Sequence, residues 1–249
     1  MNSDFLADGK HYDLLIDWEK RIPPEIHFII EAVSRKSQKI RSILEIGCGT
    51  GRHTERLQNR YHMTGVDINP SMIHEAEIRA SNAEFINGDF MELNLLRNRS
   101  FDAIISLGNT IGLIATSYVY ELIIYRIYSL LKEPNGLLIF QILNMEKERN
   151  GWSIPRSVQT SDGEFVFLRE FRTTTEYVIP QILTLYRPYE ESSWAFNSLG
   201  PTMIPRTTRK AMLNILKKAG FGQVEFYGSY EWEKFDPQTS VDMIVVAHT

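Results

Sequence analysis

The stretch Ile43-Leu44-Glu45-Ile46-Gly47-Cys48-Gly49-Thr50-Gly51 constrains this chain more than any other. It is a strand running into a glycine-rich turn that opens a helix. Glycines let the backbone bend with positive φ and let a ligand lie against main chain without meeting a Cβ. In a doubly wound sheet such a turn is the ligand crevice at the carboxyl edge of the strands. A dinucleotide site wants G-x-G-x-x-G, with a pyrophosphate facing the helix amino end. Here the third glycine, Gly51, comes one residue early and Arg52 holds the dinucleotide position, so the spacing favours a ligand without a pyrophosphate. The competing reading is a tight strand-to-helix turn and nothing more.

Short strands and helices alternate around that turn. Runs at 42–46, 63–68, 84–87, 101–107 and 136–143 are strand-sized, and 52–59, 71–80 and 118–131 are helical. Asn69-Pro70 opens one of these helices with proline near its start, and Glu133-Pro134-Asn135-Gly136 is a turn. Strands separated by helices pair in parallel through right-handed crossovers. Near-continuous apolar runs at 103–106 and 137–142 suit strands covered on both faces. A helix at 207–219, capped by Thr207 or Thr208 and ended by Gly220, precedes two strands at 224–228 and 241–247 that suit an antiparallel edge pair. The expected fold is α/β, a doubly wound, mostly parallel seven-stranded sheet. Ahead of it, 12–35 carries apolar residues at helical steps, with a kink or split expected at Pro23-Pro24.

The pattern changes at Asn150. Through Pro205 the chain reads as extended segments, notably 164–172 and 176–189, where threonines and aromatics favour strand. This antiparallel β insert after the fifth strand leaves a core of 1–149 and 206–249. Because it follows a strand that ends at the carboxyl edge, residues 150–205 are expected to form a lid and substrate pocket there. Trp152, Tyr177, Tyr186, Tyr189 and Trp194 are the candidate wall residues. Ordinary core packing or a homodimer contact is the other use such aromatics have.

A formal charge of −4 argues against nucleic acid as the main partner, since phosphate binding needs a basic face. Arg206-Thr207-Thr208-Arg209-Lys210 is either a local basic patch or a solvated helix start. The single Cys48 excludes an internal disulfide and fits a reducing cytoplasm. Residues 1–10 are polar and acidic, without the apolar segment of a signal peptide, and no apolar stretch is long enough to span a bilayer. The expectation is a soluble cytoplasmic protein without membrane insertion. The six histidines, at 11, 27, 53, 62, 74 and 248, show no paired metal-ligand spacing, so no metal is expected.

Asp67 ends the second strand, about 20 residues after Gly47, where an acid commonly accepts both ribose hydroxyls. Gly88-Asp89-Phe90 follows the third strand, where a carboxylate can accept from an adenine amino group and a phenyl ring can cover its face. An ordinary turn is the alternative there. The order Glu45-Ile46-Gly47-Cys48-Gly49-Thr50-Gly51, Val66-Asp67, Gly88-Asp89, Phe101-Asp102-Ala103-Ile104-Ile105 and Leu131-Lys132…Gly136 resembles the class I S-adenosylmethionine-dependent methyltransferases. The resemblance covers most of the chain and loses detail between Asn150 and Pro205. It implies a Rossmann-like methyltransferase fold, an enzyme, and S-adenosyl-L-methionine as cofactor with S-adenosyl-L-homocysteine as product. It implies that Glu45, Gly47, Gly49 and Gly51 belong to the cofactor site, the glycines lying against the methionine and ribose portions. Asp67 would hold the ribose, Ile68 and Met72 would flank the adenine, Asp89 and Phe90 would bind its edge and face, and Leu107 would sit beside the cofactor.

Two further stretches, Tyr12-Asp13…Asp17-Trp18-Glu19-Lys20-Arg21 and Leu107-Gly108-Asn109-Thr110, are similar to glycine and sarcosine N-methyltransferases and their small-molecule relatives. That similarity implies that Arg21 grips the cofactor carboxylate, with Tyr12 and Trp18 closing the site. A planar guanidinium suits a carboxylate because it donates two parallel hydrogen bonds. An exposed helix charge is the alternative for Arg21, and amphipathic-helix core for Tyr12 and Trp18. Tyr12 and Asn109 are the weak catalytic candidates; Asn109 either orients a substrate amine or carboxylate or is a turn residue. His53 is the histidine nearest the glycine loop and reads as helix surface rather than as a base. A free amine needs no strong base in the methyl-transfer step, whereas a phenol or thiol benefits from one. Cys48 is committed to the glycine turn, and Leu-Gly-Asn-Thr stands where amino-directed DNA methyltransferases carry Asn/Asp-Pro-Pro-Tyr. The expected activity is methylation of a small amine or amino-acid-like acceptor. O- or C-methylation of an apolar quinone precursor and a non-catalytic cofactor-binding regulator are the alternatives.

Overall fold

A computed structural model describes residues 8–35 and 39–249. The expectation for the first ten residues therefore lies largely outside the described chain. Seven strands form one sheet: β1 (Ser42–Ile46), β2 (His62–Asp67), β3 (Glu84–Asn87), β4 (Ala103–Ser106), β5 (Leu137–Leu143), β12 (Gln223–Tyr227) and β13 (Asp242–His248). Their order is β12-β13-β5-β4-β1-β2-β3. Neighbours pair in parallel from β5 to β3, and β13 runs antiparallel to both β5 and β12. This is the doubly wound, mostly parallel seven-stranded sheet expected from the alternation.

Alternate residues of the central strands enter opposite faces, as the two-residue pleat requires. Leu138, Phe140 and Ile142 pack with Ile123, Ile124 and Ile127 of α6 (Tyr120–Ser129) and with Met212 and Leu216 of α7 (Arg209–Ala219). Leu137 and Ile139 face the other way, against Phe28, Ile29 and Ala32 of α2 (Trp18–Ser34) and Leu57 of α3 (Arg52–Leu57). Both faces are covered, which is why these strands read as near-continuous apolar runs. Each fully buried side chain of this size contributes roughly 1.5–3 kcal/mol. Thr208 caps α7 by accepting from the Ala211 amide, and Gly220 ends it in the left-handed region.

The amino-terminal helical stretch is two helices, and the break is not at the prolines. α1 (Gly9–Leu15) ends where Ile16 turns extended, and Pro23 and Pro24 lie inside α2. Packing explains the break. Leu15 and Tyr12 of α1 pack with Phe165, Phe167 and Tyr186 of the insert, whereas α2 lies on the main sheet. One straight helix could not reach both surfaces.

The insert is a six-stranded antiparallel sheet. A long hairpin of β8 (Gly163–Thr173) and β9 (Tyr177–Pro188) is flanked by β6 (Gly151–Trp152) and β7 (Arg156–Gln159) on β8, and by β10 (Ala195–Leu199) and β11 (Ile204–Pro205) on β9. Arg206 ties its exit to the segment after β5 by donating to the Met145 carbonyl, and to the insert's own β8–β9 turn by donating to the Thr174 carbonyl. No helix among the described residues is long and apolar enough to cross a membrane.

Candidate functional site

The strand order sets β1 between β2 and β4, so the connections leaving β1 and β4 part and open a crevice at the carboxyl edge. A cavity of about 410 Å³ lies there, bordered by the turns after β1, β2, β3 and β4. Gly47, Gly49 and Gly51 all have positive φ, at 70°, 53° and 76°. A Cβ on Gly47 would meet Thr110 Cγ2 at 2.3 Å, so this glycine lets the turns after β1 and β4 close on each other. A Cβ on Gly49 would meet nothing within 4 Å. There the bare main chain faces open space.

Asp67 at the end of β2 lies beside that loop. Its carboxylate accepts from the Gly49 amide at 2.9 Å and from the Asn69 amide at 2.9 Å. Burial nevertheless pushes its pKa above the ordinary aspartate value, against those two amides. Asn69 caps the next helix, α4 (Pro70–Arg79), by accepting from the Ser71 amide. Ile68, Met72, Asp89, Phe90 and Leu107 all border the cavity; Met72, Phe90 and Leu107 are buried, and Ile68 is exposed. Asp89 accepts from the Met91 amide at 2.8 Å and from the Tyr118 hydroxyl at 3.2 Å.

Tyr12, Trp18 and Arg21 reach the same cavity from α1 and α2. The residue that brings them there is Asp13. It accepts from Thr50 in the glycine loop at 2.7 Å, from Arg52 at 2.5 Å, from Arg79 at 2.9 Å and from the Trp18 indole at 3.0 Å. The Arg21 guanidinium lies over Gly108, since a Cβ built there would be 3.4 Å from its Nη2. Glu25 holds it from one turn further along the helix at 2.6 Å.

Beneath Arg21 is a buried polar cluster that the sequence reading missed. His53, expected on a helix surface, is buried with 5% of its surface exposed. Its Nε2 lies 2.6 Å from Glu25 and its Nδ1 3.1 Å from Glu45, and Glu45 also accepts from Thr54 at 2.5 Å. Burial alone would lower the histidine pKa, but the hydrogen bonds and charges of the two glutamates outweigh it and raise it to about 9. The imidazole is therefore a cation at neutral pH, clamped between α2 and β1. Glu45 borders the cavity, as does His53, yet its carboxylate is committed to this cluster. Burial, with Glu45 and Asp67 acting the same way, pushes the Cys48 thiol well above its ordinary pKa.

Asn109 does not border the cavity. It sits in the left-handed region, donates its amide to Gln141 at 2.9 Å and accepts from the Leu143 amide at 3.0 Å, which makes it a turn residue. The five candidate wall aromatics of the insert do not border it either. Trp152, Tyr189 and Trp194 are exposed, and Tyr186 stacks on Phe165 with ring centroids 4.4 Å apart. Ser153 and Phe167 of the insert instead border a second cavity of about 380 Å³ against α1 and α2; Phe167 shares its sheet face with Tyr186, whose ring is taken up by Phe165, and Trp152 pairs with Glu170 on the opposite face. Among the described residues no group of three or more His, Cys, Asp and Glu is arranged to hold a metal ion.

Residues 43–136 match the family model of a methyltransferase domain. Over 231 residues the chain is 25% identical to a glycine/sarcosine N-methyltransferase of Parasynechococcus marenigrum, covering 91% of this chain and 78% of that protein. It is also 25% identical to a glycine/sarcosine/dimethylglycine N-methyltransferase of Actinopolyspora halophila, over 88% of this chain and 38% of that longer protein. An S-adenosylmethionine-dependent methyltransferase from Clostridium acetobutylicum superposes with a TM-score of 0.77 at 19% identity, covering 95% of each chain.

Proposed function

We propose that this chain, a class I S-adenosylmethionine-dependent methyltransferase, methylates the amine nitrogen of a small metabolite. The observation that carries the choice of nitrogen is the state of the titratable groups around the cavity. Glu45, Asp67 and Asp89 each already accept from protein donors, and His53 holds its proton to a pH of about 9. Burial also raises the Tyr12 phenol, although Arg21 and Arg169 pull it back. A neutral amine attacks without help from a base, whereas a phenol or thiol would need one near neutral pH. The relatives named as glycine/sarcosine N-methyltransferases support the same choice.

The residues present fit S-adenosylmethionine, which when bound supplies an electrophilic methyl group on a sulfonium. Gly49 offers main chain against open space, and the cavity volume is of the size small-molecule sites have. In this reading the Gly47 and Gly49 backbone cradles the methionine and ribose portions, while Gly51, which does not border the cavity, lets the turn close against Ala76 of α4. Asp67 retains lone pairs for ribose hydroxyls beyond the two amides it serves. Ile68 and Met72 flank the adenine, with Asp89 and Phe90 at its edge and face. Arg21, fixed by Glu25, takes the carboxylate, while Trp18, Tyr12 and Leu107 exclude water from the reacting centre. Alignment and dehydration are then the chain's main contributions.

The test is a screen of amines, amino acids, phenols and quinone analogues for production of adenosylhomocysteine. Turnover confined to amines and amino acids is expected. Turnover of a phenol or quinone analogue alone would overturn the proposal.

A further inference from the structure

Four charges of alternating sign run from the edge of the first cavity down to β1: Arg21, Glu25, His53 and Glu45. Glu25 Oε1 accepts from Arg21 Nε at 2.6 Å, and its Oε2 lies 2.6 Å from His53 Nε2. On the far side of the ring, His53 Nδ1 lies 3.1 Å from Glu45 Oε1. A neutral imidazole has one N–H, whereas both ring nitrogens here face a carboxylate oxygen, so only the imidazolium can donate to both. Burial works against the charge of Glu25, but His53 and Arg21 together outweigh it and hold its carboxyl below the ordinary glutamate range. Glu25 is 2% exposed, so its carboxylate depends on these two cations.

The division of Glu25 between two cations decides what Arg21 can do. Arg21 and Glu25 are one helical turn apart on α2, a spacing that by itself draws the guanidinium along the helix. Its Nε makes that bond, and the Nη1–Nη2 end lies over Gly108 on the cavity border, with Nη2 3.4 Å and Nη1 4.0 Å from a Cβ built there. Two Nη groups side by side form a fork that a second carboxylate can take with parallel hydrogen bonds. While His53 is charged it shares Glu25 and neutralises Glu45, so Arg21 keeps positive charge for that second carboxylate. Without the charge on His53, Glu25 would act on Arg21 alone and Glu45 would lose its cation. A third carboxylate brought to Arg21 would then meet the repulsion of both.

We propose that His53 is a positioning residue for the cofactor's carboxylate, acting through Glu25 to leave the Nη end of Arg21 free for it. The inference rests on the reading of Arg21 as the ligand of that carboxylate. Its consequence is a pH dependence. His53 keeps its charge up to about pH 9, so carboxylate affinity is complete well below that pH and is lost as pH rises through it. Tyr12 of α1 and Tyr230 of the β12–β13 connection face Arg21, and Cys48 of the glycine loop faces Glu45; burial pushes all three up from their ordinary values. Asp242 at the start of β13 faces Arg21 and Glu25, and Asp67 of β2 faces Glu45; burial raises both from the acid end of the scale. Arg169 of β8 and Arg52, which lies over the Trp18 ring, complete the set. Among these described groups, His53 alone is placed near pH 9.

Two nucleoside ligands read this relay without turnover. The desamino analogue of S-adenosylhomocysteine carries the carboxylate and no titrating amine, and 5′-methylthioadenosine carries neither. Isothermal calorimetry on the full chain gives both affinities from pH 7 to pH 10. Their ratio isolates the carboxylate, because both ligands share the nucleoside site and feel any loosening of the fold alike. A ratio of roughly tenfold is expected at pH 7 in the native chain, falling about fivefold by pH 10. By linkage, the His53 imidazole, followed by NMR, titrates at higher pH with the desamino analogue bound than with 5′-methylthioadenosine bound. His53→Gln is expected to show the lowered ratio already at pH 7, without further decline. If that variant does not fold, the native pH series decides alone. A ratio constant from pH 7 to pH 10, or a His53→Gln variant that weakens both ligands equally, would overturn the role of His53 and leave Arg21 in place. A ratio of one at pH 7 in the native chain would overturn the Arg21 reading, and this proposal with it.

Discussion

Replacing His53 by glutamine tests whether a buried imidazolium holds α2 to β1. The folded-state pKa is about 9 against 6.5 for a free imidazole. Below pH 6.5 both states carry the proton, and the stabilisation is complete. As pH rises through about 9 the folded state gives the proton up and the stabilisation is lost. A shift of this size is worth about 3 kcal/mol between pH 6 and pH 9.5, with a slope of about 1 kcal/mol per pH unit around pH 8. Urea unfolding followed by tryptophan fluorescence at pH 6, 7, 8 and 9 reads the slope directly. The glutamine variant is expected to lose roughly 3–5 kcal/mol at pH 6, because Glu25 and Glu45 keep their burial without the cation between them. Above pH 7 its curve should be flatter than that of the native chain. Parallel curves for the two proteins from pH 7 to 9 would refute the argument, since the imidazole would then bind no extra proton in the fold.

The glycine loop separates folding from binding. Gly49→Ala is expected to fold with a strain of about 1–2 kcal/mol, because its φ is 53° and its Cβ meets no atom, yet to bind S-adenosylmethionine at least tenfold more weakly; unchanged calorimetric affinity would count against the cradle. Gly47→Ala should instead show its defect in thermal unfolding, because the new Cβ would stand 2.3 Å from Thr110 Cγ2. Asp67→Ala should weaken S-adenosylmethionine by roughly 1–3 kcal/mol, and an unaltered Kd would remove the ribose role. Arg21→Ala should harm S-adenosylmethionine binding more than adenosine binding, since only the former carries a carboxylate; equal losses would take Arg21 out of the site.

The residues between Ser42 and Leu143 were legible because their signals are local. Each central strand was found within one or two residues of its observed ends, since a strand covered on both faces must be apolar throughout. The glycine spacing likewise marked a turn whose φ values few other residues tolerate. The short helix α5 (Thr110–Ile114) was missed because five residues carry too little periodicity to register. The break between α1 and α2 was misplaced at the prolines because its cause lies in the insert, well over a hundred residues away, where Phe165 and Phe167 receive Leu15.

Local order along this chain, comprising strand, glycine turn, helix and the switch to extended segments at Asn150, follows from residue types and their spacing. Those features depend on steric and apolar patterns that act within a few residues. Tertiary structure alone decided which charges meet. Asp13 joins residues 50, 52 and 79, His53 joins 25 and 45, and Arg169 stands with 20, 21 and 156 around one cavity. A hydrogen bond between distant positions leaves no period in the sequence, because its partners are brought together by the packing of elements and not by the course of any one of them.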